Sequence, residues 1–564
     1  MLLPLLVYLP LRSAGFIWDD DAYVTQNANL TSLAGLFRIW LEPRSIPQYY
    51  PLVHTSYWAE YRLWGLSATG YHVTNVLLHG LNCVLLWRIF ARLRLPGAWL
   101  AAAIFAVHPV MVESVAWITE RKNVLSLAFA LCAFASHLRF APPERDTRDP
   151  AAWRFYVLSL LFYAAALLSK TVVCSLPAVL LVVRWWKRGR IRVADVLPLV
   201  PFFALGIAAA GATVWLEKHH VGAVGGEWAL TPLDRVLLAG RVLWFYAGKL
   251  VWPHPLIFFY PQWQVSAAQL WQWSFPIAAL LVVATLWVLR TRIGRGPLAA
   301  VVIFAGVLFP ALGFFDVFPF RYSYVADHFQ YHAAPALIAL FAAGAAGTAV
   351  RLGPRARIPS QMAALALLVT LGTLGFREAS EYHDLGTLYR RTIADNPSAW
   401  NAQLNLANLL SSEGRNVEAL PFARDAVRFA PQIADAHNTL GGVLFLSAPA
   451  SGAGRPAQLA EAIDAFERAL VLDPDHVDAL YNGALALRAA GRYEEASRFY
   501  VRILAIQPGA VDALVGLGVS LALQGRLDEA EVPLRDALRR APGREDARQA
   551  LAGIDARRNE KISP

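Results

Sequence analysis

Three consecutive carboxylates, Asp19, Asp20 and Asp21, sit in the run WDDDAY just after an apolar stretch. A carboxylate in that setting can take a proton from a hydroxyl. A second group runs from His108-Pro109 through Glu113 to Glu120-Arg121-Lys122-Asn123. Lys170, Arg241, Lys249, Arg321-Tyr322 and Asp327-His328 follow, each within or beside an apolar segment. Ionisable residues at membrane depth cost roughly 2.5 to 3.5 kcal/mol each on insertion scales, so they tend to face a cavity and serve a purpose. Lysine usage points the same way. The chain holds six lysines among 51 basic residues, yet Lys122, Lys170, Lys218 and Lys249 fall on the side that the positive-inside rule assigns to the exterior. A bound lipid phosphate on that side would explain them, and so would four lysines that snorkel to the membrane surface. Metal sites have weaker support. His328 and His332 are four apart but lack the glutamate of H-E-x-x-H. Asp19-x-Asp21 faces the side where nucleotide sugars are not supplied. No metal ligand is assigned, and the need for a divalent metal is left open.

The elements that must position these residues are membrane spans. The chain has 564 residues, 57% hydrophobic and 16% charged, and a mean hydropathy of +0.40, which excludes a disordered or polar solvated protein. Apolar windows near 20 residues fall at 72–93, 97–117, 122–140, 153–170, 171–186, 195–216, 274–290, 298–315, 328–350 and 359–376. With residues 1–11, which run into WDDDAY rather than a cleavage site, they predict about eleven spans. The window 233–252 would break the alternation of basic loops and is read as a re-entrant or interfacial helix carrying Arg241 and Lys249. The loops near Arg88, 139–154, Arg184 to Arg192, Arg290 to Arg295 and Arg351 to Arg357 then face the cytoplasm. The +10 net charge divides into +13 before residue 382 and −3 after it. The basic excess therefore follows topology and does not indicate nucleic-acid binding. Cys83, Cys132 and Cys174 lie in apolar stretches without paired spacing and suggest neither disulfide nor zinc.

The last third is a repeat array. Pro474, Pro508 and Pro542 are 34 apart, and Pro431 precedes Pro474 by 43, one period plus an insertion around SAPASGAGRP. A 34-residue period signals tetratricopeptide repeats. Small residues at the packing positions agree: Ala462/Phe466/Ala469, Ala496/Tyr500 and Ala530/Ala537 on second helices, with Leu440-Gly441 and Leu517-Gly518 on first helices. The expected fold class is all-α: a GT-C-like helical membrane domain over 1–380, then an α-solenoid over 395–558 with about four repeats and a polar capping helix. Such a solenoid offers a concave surface for a protein or peptide.

The segments YYPLVHTSYWAEYRLWGLSATGYHVTNVLLHGLN, HPVMVESVAWITERKNVLS, LLSKTVVCSLP and FPFRYSYVADHFQYHA, followed by repeats, resemble the transmembrane-and-tetratricopeptide O-mannosyltransferases and their bacterial relatives. Those proteins are similar to GT-C glycosyltransferases. The resemblance implies a polyprenyl-phosphate sugar donor used on the outer face, an essential aspartate in the first external loop, and a protein acceptor presented by the repeats. It puts the catalytic acid on Asp19 or Asp20, with Asp21 in support, and the second-loop motif on Glu113, Glu120, Arg121 and Lys122. Donor phosphate ligands would be Arg121, Lys122, Lys170, Arg241, Lys249 and Arg321, supported by His108, Tyr322, Asp327 and His328. Tyr49-Tyr50-Pro51 departs from relatives that carry Arg before the proline. Arginine far above lysine is bacterial in style and suggests an inner-membrane protein with its repeats outside. The lipid-phosphate leaving group needs charge stabilisation more than a general acid. One carboxylate base and a basic patch therefore suffice, unlike glycoside hydrolysis with its two flanking carboxyl groups, and direct displacement inverts the anomeric centre. Transfer to a lipid or envelope glycan, or a non-catalytic scaffold, are the competing expectations.

Overall fold

The computed structural model describes the chain except residues 145–151, 222–229, 450, 453 and 563–564. Part of the basic loop 139–154, part of the segment 217–273, expected from the sequence to face outward, and part of the SAPASGAGRP insertion lie outside the described residues. Every regular element among the described residues is helical. The chain divides into two compact units, Met1–Arg391 and Thr392–Pro564.

Among the described residues of the first unit six helices are long and apolar enough to cross a bilayer: Ala68–Arg92, Ile118–Phe140, Val193–His219, Leu270–Leu289, Ala334–Arg351 and Pro354–Glu381. The window 97–117 becomes a pair, Ala98–Val107 and Pro109–Ala116, bent by 60°. The break falls at His108-Pro109, where proline lacks the N–H that would continue the ladder. His108 caps the new turn, its Nδ1 accepting from Val110 N at 3.3 Å. The remaining windows form shorter helices, Leu2–Val7, Trp153–Leu167, Leu176–Arg188 and Gly296–Ala311. A 15-residue helix is about 22 Å long, less than the ~30 Å hydrocarbon layer. The window 233–252 is a 20-residue helix, Pro232–Val251, begun by a reciprocal Thr231/Asp234 cap. The chain is a multi-pass membrane protein.

The two ends of the helices differ in chemistry. At one end Arg92 bonds Leu138 O, Lys187 bonds Leu93 O, and Arg184 and Arg188 pair with Asp195. The other end gathers the acids and lysines described below.

The described residues of the second unit form four helix pairs, beginning with Trp400–Ser412 and Asn416–Phe429, followed by Glu545–Ile562. Its glycines sit where helices nearly touch. A Cβ on Gly518 would lie 2.5 Å from Leu534 Cγ and 3.0 Å from the Ala530 carbonyl oxygen. The carbonyl belongs to a helix backbone and cannot move aside. Gly518→Ala is therefore expected to destabilise the solenoid by about 1 to 3 kcal/mol through overpacking, measured as a lower melting temperature of the repeat signal. Gly414→Ala makes a contrasting control: open space surrounds it, and its cost comes from its φ of +77°.

Candidate active site

The first acidic loop is held in an unusual backbone path. Trp18 has φ +47°, which a bulky residue rarely adopts. Its ring is fixed among Phe258, Phe259, Tyr322 and Tyr389, with centroids 5.1 to 6.2 Å away. A π-helical turn, Asp21–Thr25, follows directly. This path separates the three carboxylates. Asp20 is fully buried, with Oδ2 accepting from Ile17 N at 2.8 Å and Oδ1 from Thr119 N at 2.8 Å and Thr119 Oγ1 at 2.7 Å. It ties the first loop to the second. Burial drives its carboxyl up to about 7 against the lowering effect of those three donors. Asp21 is exposed and accepts from Thr25 Oγ1 at 2.7 Å. Asp19 is partly buried, and its carboxylate has no hydrogen-bond donor among the described residues. Burial raises it above the ordinary carboxylate range, opposed by the nearby Lys122 ammonium.

The second motif opens the helix Arg121–Phe140. Glu120, completely buried, ion-pairs with Lys122 Nζ at 3.0 Å and Lys170 Nζ at 3.2 Å and accepts from Asn123 Nδ2 at 2.6 Å. Lys170 also donates to Asn123 Oδ1 at 2.8 Å, and Lys122 to Gln48 Oε1 at 3.4 Å. Two ammonium groups thus stand around one carboxylate. Each uses two of its three N–H bonds, leaving one for a ligand. His328 bridges the acids, with Nδ1 3.0 Å from Glu113 Oε1 and Nε2 3.8 Å from Glu120 Oε1, while its backbone N–H donates to Glu113 Oε2 at 2.8 Å. Asp327 accepts from Tyr260 at 2.9 Å; burial and the Glu113 charge push its carboxyl well up.

Of the residues grouped from sequence as phosphate ligands, Lys122 and Lys170 come together on Glu120, with Lys122 also near Asp19. Arg121 does not join them. Its guanidinium is fully buried and donates to Glu60 through both terminal nitrogens, at 2.7 and 3.1 Å, and to Asn75, Ser56 and the Tyr71 carbonyl. That set leaves no N–H for a phosphate. Arg241 stacks over Trp263 at 4.1 Å. Lys249 donates to Pro255 O and lies 5.2 Å from the Tyr260 ring. His108 Nε2 meets Leu250 O at 3.1 Å and acts as a cap and brace. Arg321 ends the turn Phe318–Arg321, and Tyr322 packs on Trp18.

Sequence reasoning passed over Glu217, Gln48 and Tyr23. Glu217 is buried at the end of a span and accepts from Gln48 Nε2 at 3.0 Å and Phe318 N at 3.4 Å. Gln48 Oε1 accepts from Tyr23 at 3.0 Å. The available signal was an acid closing the uncharged apolar stretch 196–216.

Tetratricopeptide-repeat family profiles match residues 387–433, 456–515 and 487–554. Protein O-mannosyl-transferase Tmtc1 of Drosophila melanogaster is 34% identical over 182 residues, which is 30% of this chain and 20% of that protein. Protein O-mannosyl-transferase TMTC3 of Mus musculus is 32% identical over 167 residues, 28% of this chain and 18% of that protein. The chain spans about a fifth of the length of these curated relatives. Among solved structures, YrrB, described as a TPR protein with an unusual peptide-binding site, is 25% identical over 30% of this chain and 84% of its own, with a TM-score of 0.26. The chain is a multi-pass membrane protein with tetratricopeptide repeats, and its curated homologues are proteins named O-mannosyl-transferases.

Proposed function

We propose that this protein is an inverting glycosyltransferase that moves a sugar from a polyprenyl-phosphate donor to a protein hydroxyl on the outer face of a bacterial inner membrane. The repeats present the acceptor. One observation carries the reading: a carboxylate without a hydrogen-bond donor among the described residues, Asp19, stands near Lys122, which shares the buried Glu120 carboxylate with Lys170.

In the reaction the acceptor oxygen attacks the anomeric carbon while Asp19 takes its proton. The bond from that carbon to the phosphate oxygen breaks, and the negative charge falls on the lipid phosphate. Lys122 and Lys170 meet that charge in a site poor in water, where fixed charges act strongly. Glu120 holds both ammonium groups in place beforehand, with Asn123 on Lys170 and Gln48 on Lys122, so little reorganisation is needed as the charge develops.

The test is transfer of labelled sugar from polyprenyl-phosphate mannose to a Ser/Thr peptide by the purified protein. Lys122→Met and Lys170→Met are each expected to weaken donor binding at least tenfold and to lower kcat/KM by at least as much. Wild-type donor affinity in both variants would remove the phosphate from this site. The orientation has a separate check: a single cysteine at Asn438 should label from outside intact cells, and one at Gly294 should not.

A further inference from the structure

Hydrogen-bond bookkeeping separates the buried acids of this site. Glu120 is surrounded by Lys122, Lys170 and Asn123, and Asp20 by three donors. Glu113 holds the His328 backbone and ring. Glu217 differs. Its two oxygens, with about four acceptor positions, receive one donor each, from Gln48 and from Phe318 N. Gln48 in turn spends one amide N–H on Glu217, while its carbonyl oxygen accepts from Tyr23 and Lys122. An open acceptor and an open N–H donor therefore lie side by side. A sugar hydroxyl asks for that combination, because it donates one hydrogen bond and accepts others.

The location adds a constraint. Lys122 pairs with Glu120, which also holds Lys170, and donates to Gln48, which in turn donates to Glu217. A phosphate held by the two lysines places its attached sugar next to Lys122. The Gln48–Glu217 pair is the polar surface there, and Tyr23, stacked on His54 with ring centroids 5.0 Å apart, forms its aromatic floor. Glu217 also begins a π-helical turn, Glu217–Val221, a geometry common at functional sites.

We propose that Glu217 and Gln48 bind hydroxyl groups of the donor sugar and determine which hexose is transferred. The proposal rests on the glycosyltransferase reading above and deepens it. Glu217 touches the sugar and takes no proton from the acceptor, which is left to Asp19. A site built to hydrogen-bond a hydroxyl rejects an analogue lacking it far more strongly than an apolar pocket can. The two residues should therefore control discrimination between donors more than the rate on a single one.

The experiment compares polyprenyl-phosphate mannose with polyprenyl-phosphate glucose as donors for wild type, Glu217→Gln, Glu217→Asp and Gln48→Leu. Direct binding of both donors, and of polyprenyl phosphate without sugar, is measured in parallel. Glu217→Gln and Gln48→Leu are expected to change the preference between the two donors at least tenfold, in kcat/KM and in affinity. Affinity for the bare polyprenyl phosphate should stay within twofold, and Glu217→Asp should restore part of the preference. An unchanged preference with a uniform loss of rate or of folded protein would overturn the proposal and make the pair structural. An equal loss of bare polyprenyl phosphate binding would overturn it in favour of a phosphate contact. Binding of both donors without transfer by wild type would instead count against the glycosyltransferase reading, while the binding preference still decides the role of Glu217.

Discussion

Asp19→Asn is expected to lower turnover by about 10² to 10⁴-fold while donor affinity and melting temperature stay close to wild type. The substitution keeps the size of the side chain and removes its capacity to take a proton. No donor in the described structure depends on the Asp19 carboxylate, so folding has little to lose. The pH profile supplies a second signature. Burial holds the Asp19 carboxyl above its ordinary value, and the base works only when deprotonated. Activity should accordingly rise with pH through a limb displaced upward from the usual ~3.9 of an aspartate, and the residual activity of Asp19→Asn should lack that limb. Asp20→Asn makes the contrast. An amide NH₂ there faces one of the donors from Ile17 or Thr119, and the buried mismatch should cost about 1 to 3 kcal/mol of stability. Wild-type turnover by both Asp19→Asn and Asp20→Asn would take the base out of this loop and turn attention to Glu113, Glu120 or Asp327.

Glu60→Ala should destabilise the membrane unit by about 3 to 5 kcal/mol, the largest stability effect expected of any single change at this end of the protein. It strands a fully buried guanidinium, because Arg121 has no exposed surface and Glu60 supplies both of its charged contacts. Arg121→Met alone strands the carboxylate. Replacing both residues with apolar ones of similar volume should recover much of the loss, because removing a buried pair is far cheaper than breaking it. Thermal unfolding of the four proteins in detergent provides the comparison. Donor affinity of the folded double variant should match wild type. A selective loss of donor binding there would return Arg121 to the phosphate site.

Arg121 and Lys122 show where sequence reading stops. Adjacent residues on a helix point about 100° apart, so one turns toward Glu60 and Tyr71 while the other faces Glu120 and Gln48. Charge and hydropathy are the same in both directions, and only the packed neighbours distinguish them. The same limit applies to Asp19 and Asp20. The strained Trp18 and the π-turn after it decide which carboxylate is consumed by backbone donors and which is left open. Glu217 and Gln48 are 169 positions apart and meet only because a span and the loop that carries Gln48 end at the same place.

The sequence by itself determined what depends on periodicity and composition. The 34-residue spacing of prolines and the small residues between them specify paired helices, since each repeat buries its apolar face only against its neighbours. Apolar windows specified a multi-pass helical domain, because backbone polar groups in hydrocarbon must bond within a helix. Helix length was decided in three dimensions: proline and polar residues bend 98–116, and other windows are cut into helices of 6 to 16 residues, which a hydropathy average cannot resolve. Tertiary structure also decided which charges are spent on the fold and which are left for chemistry. That division depends on hydrogen bonds between residues distant in the chain, and no local pattern encodes it.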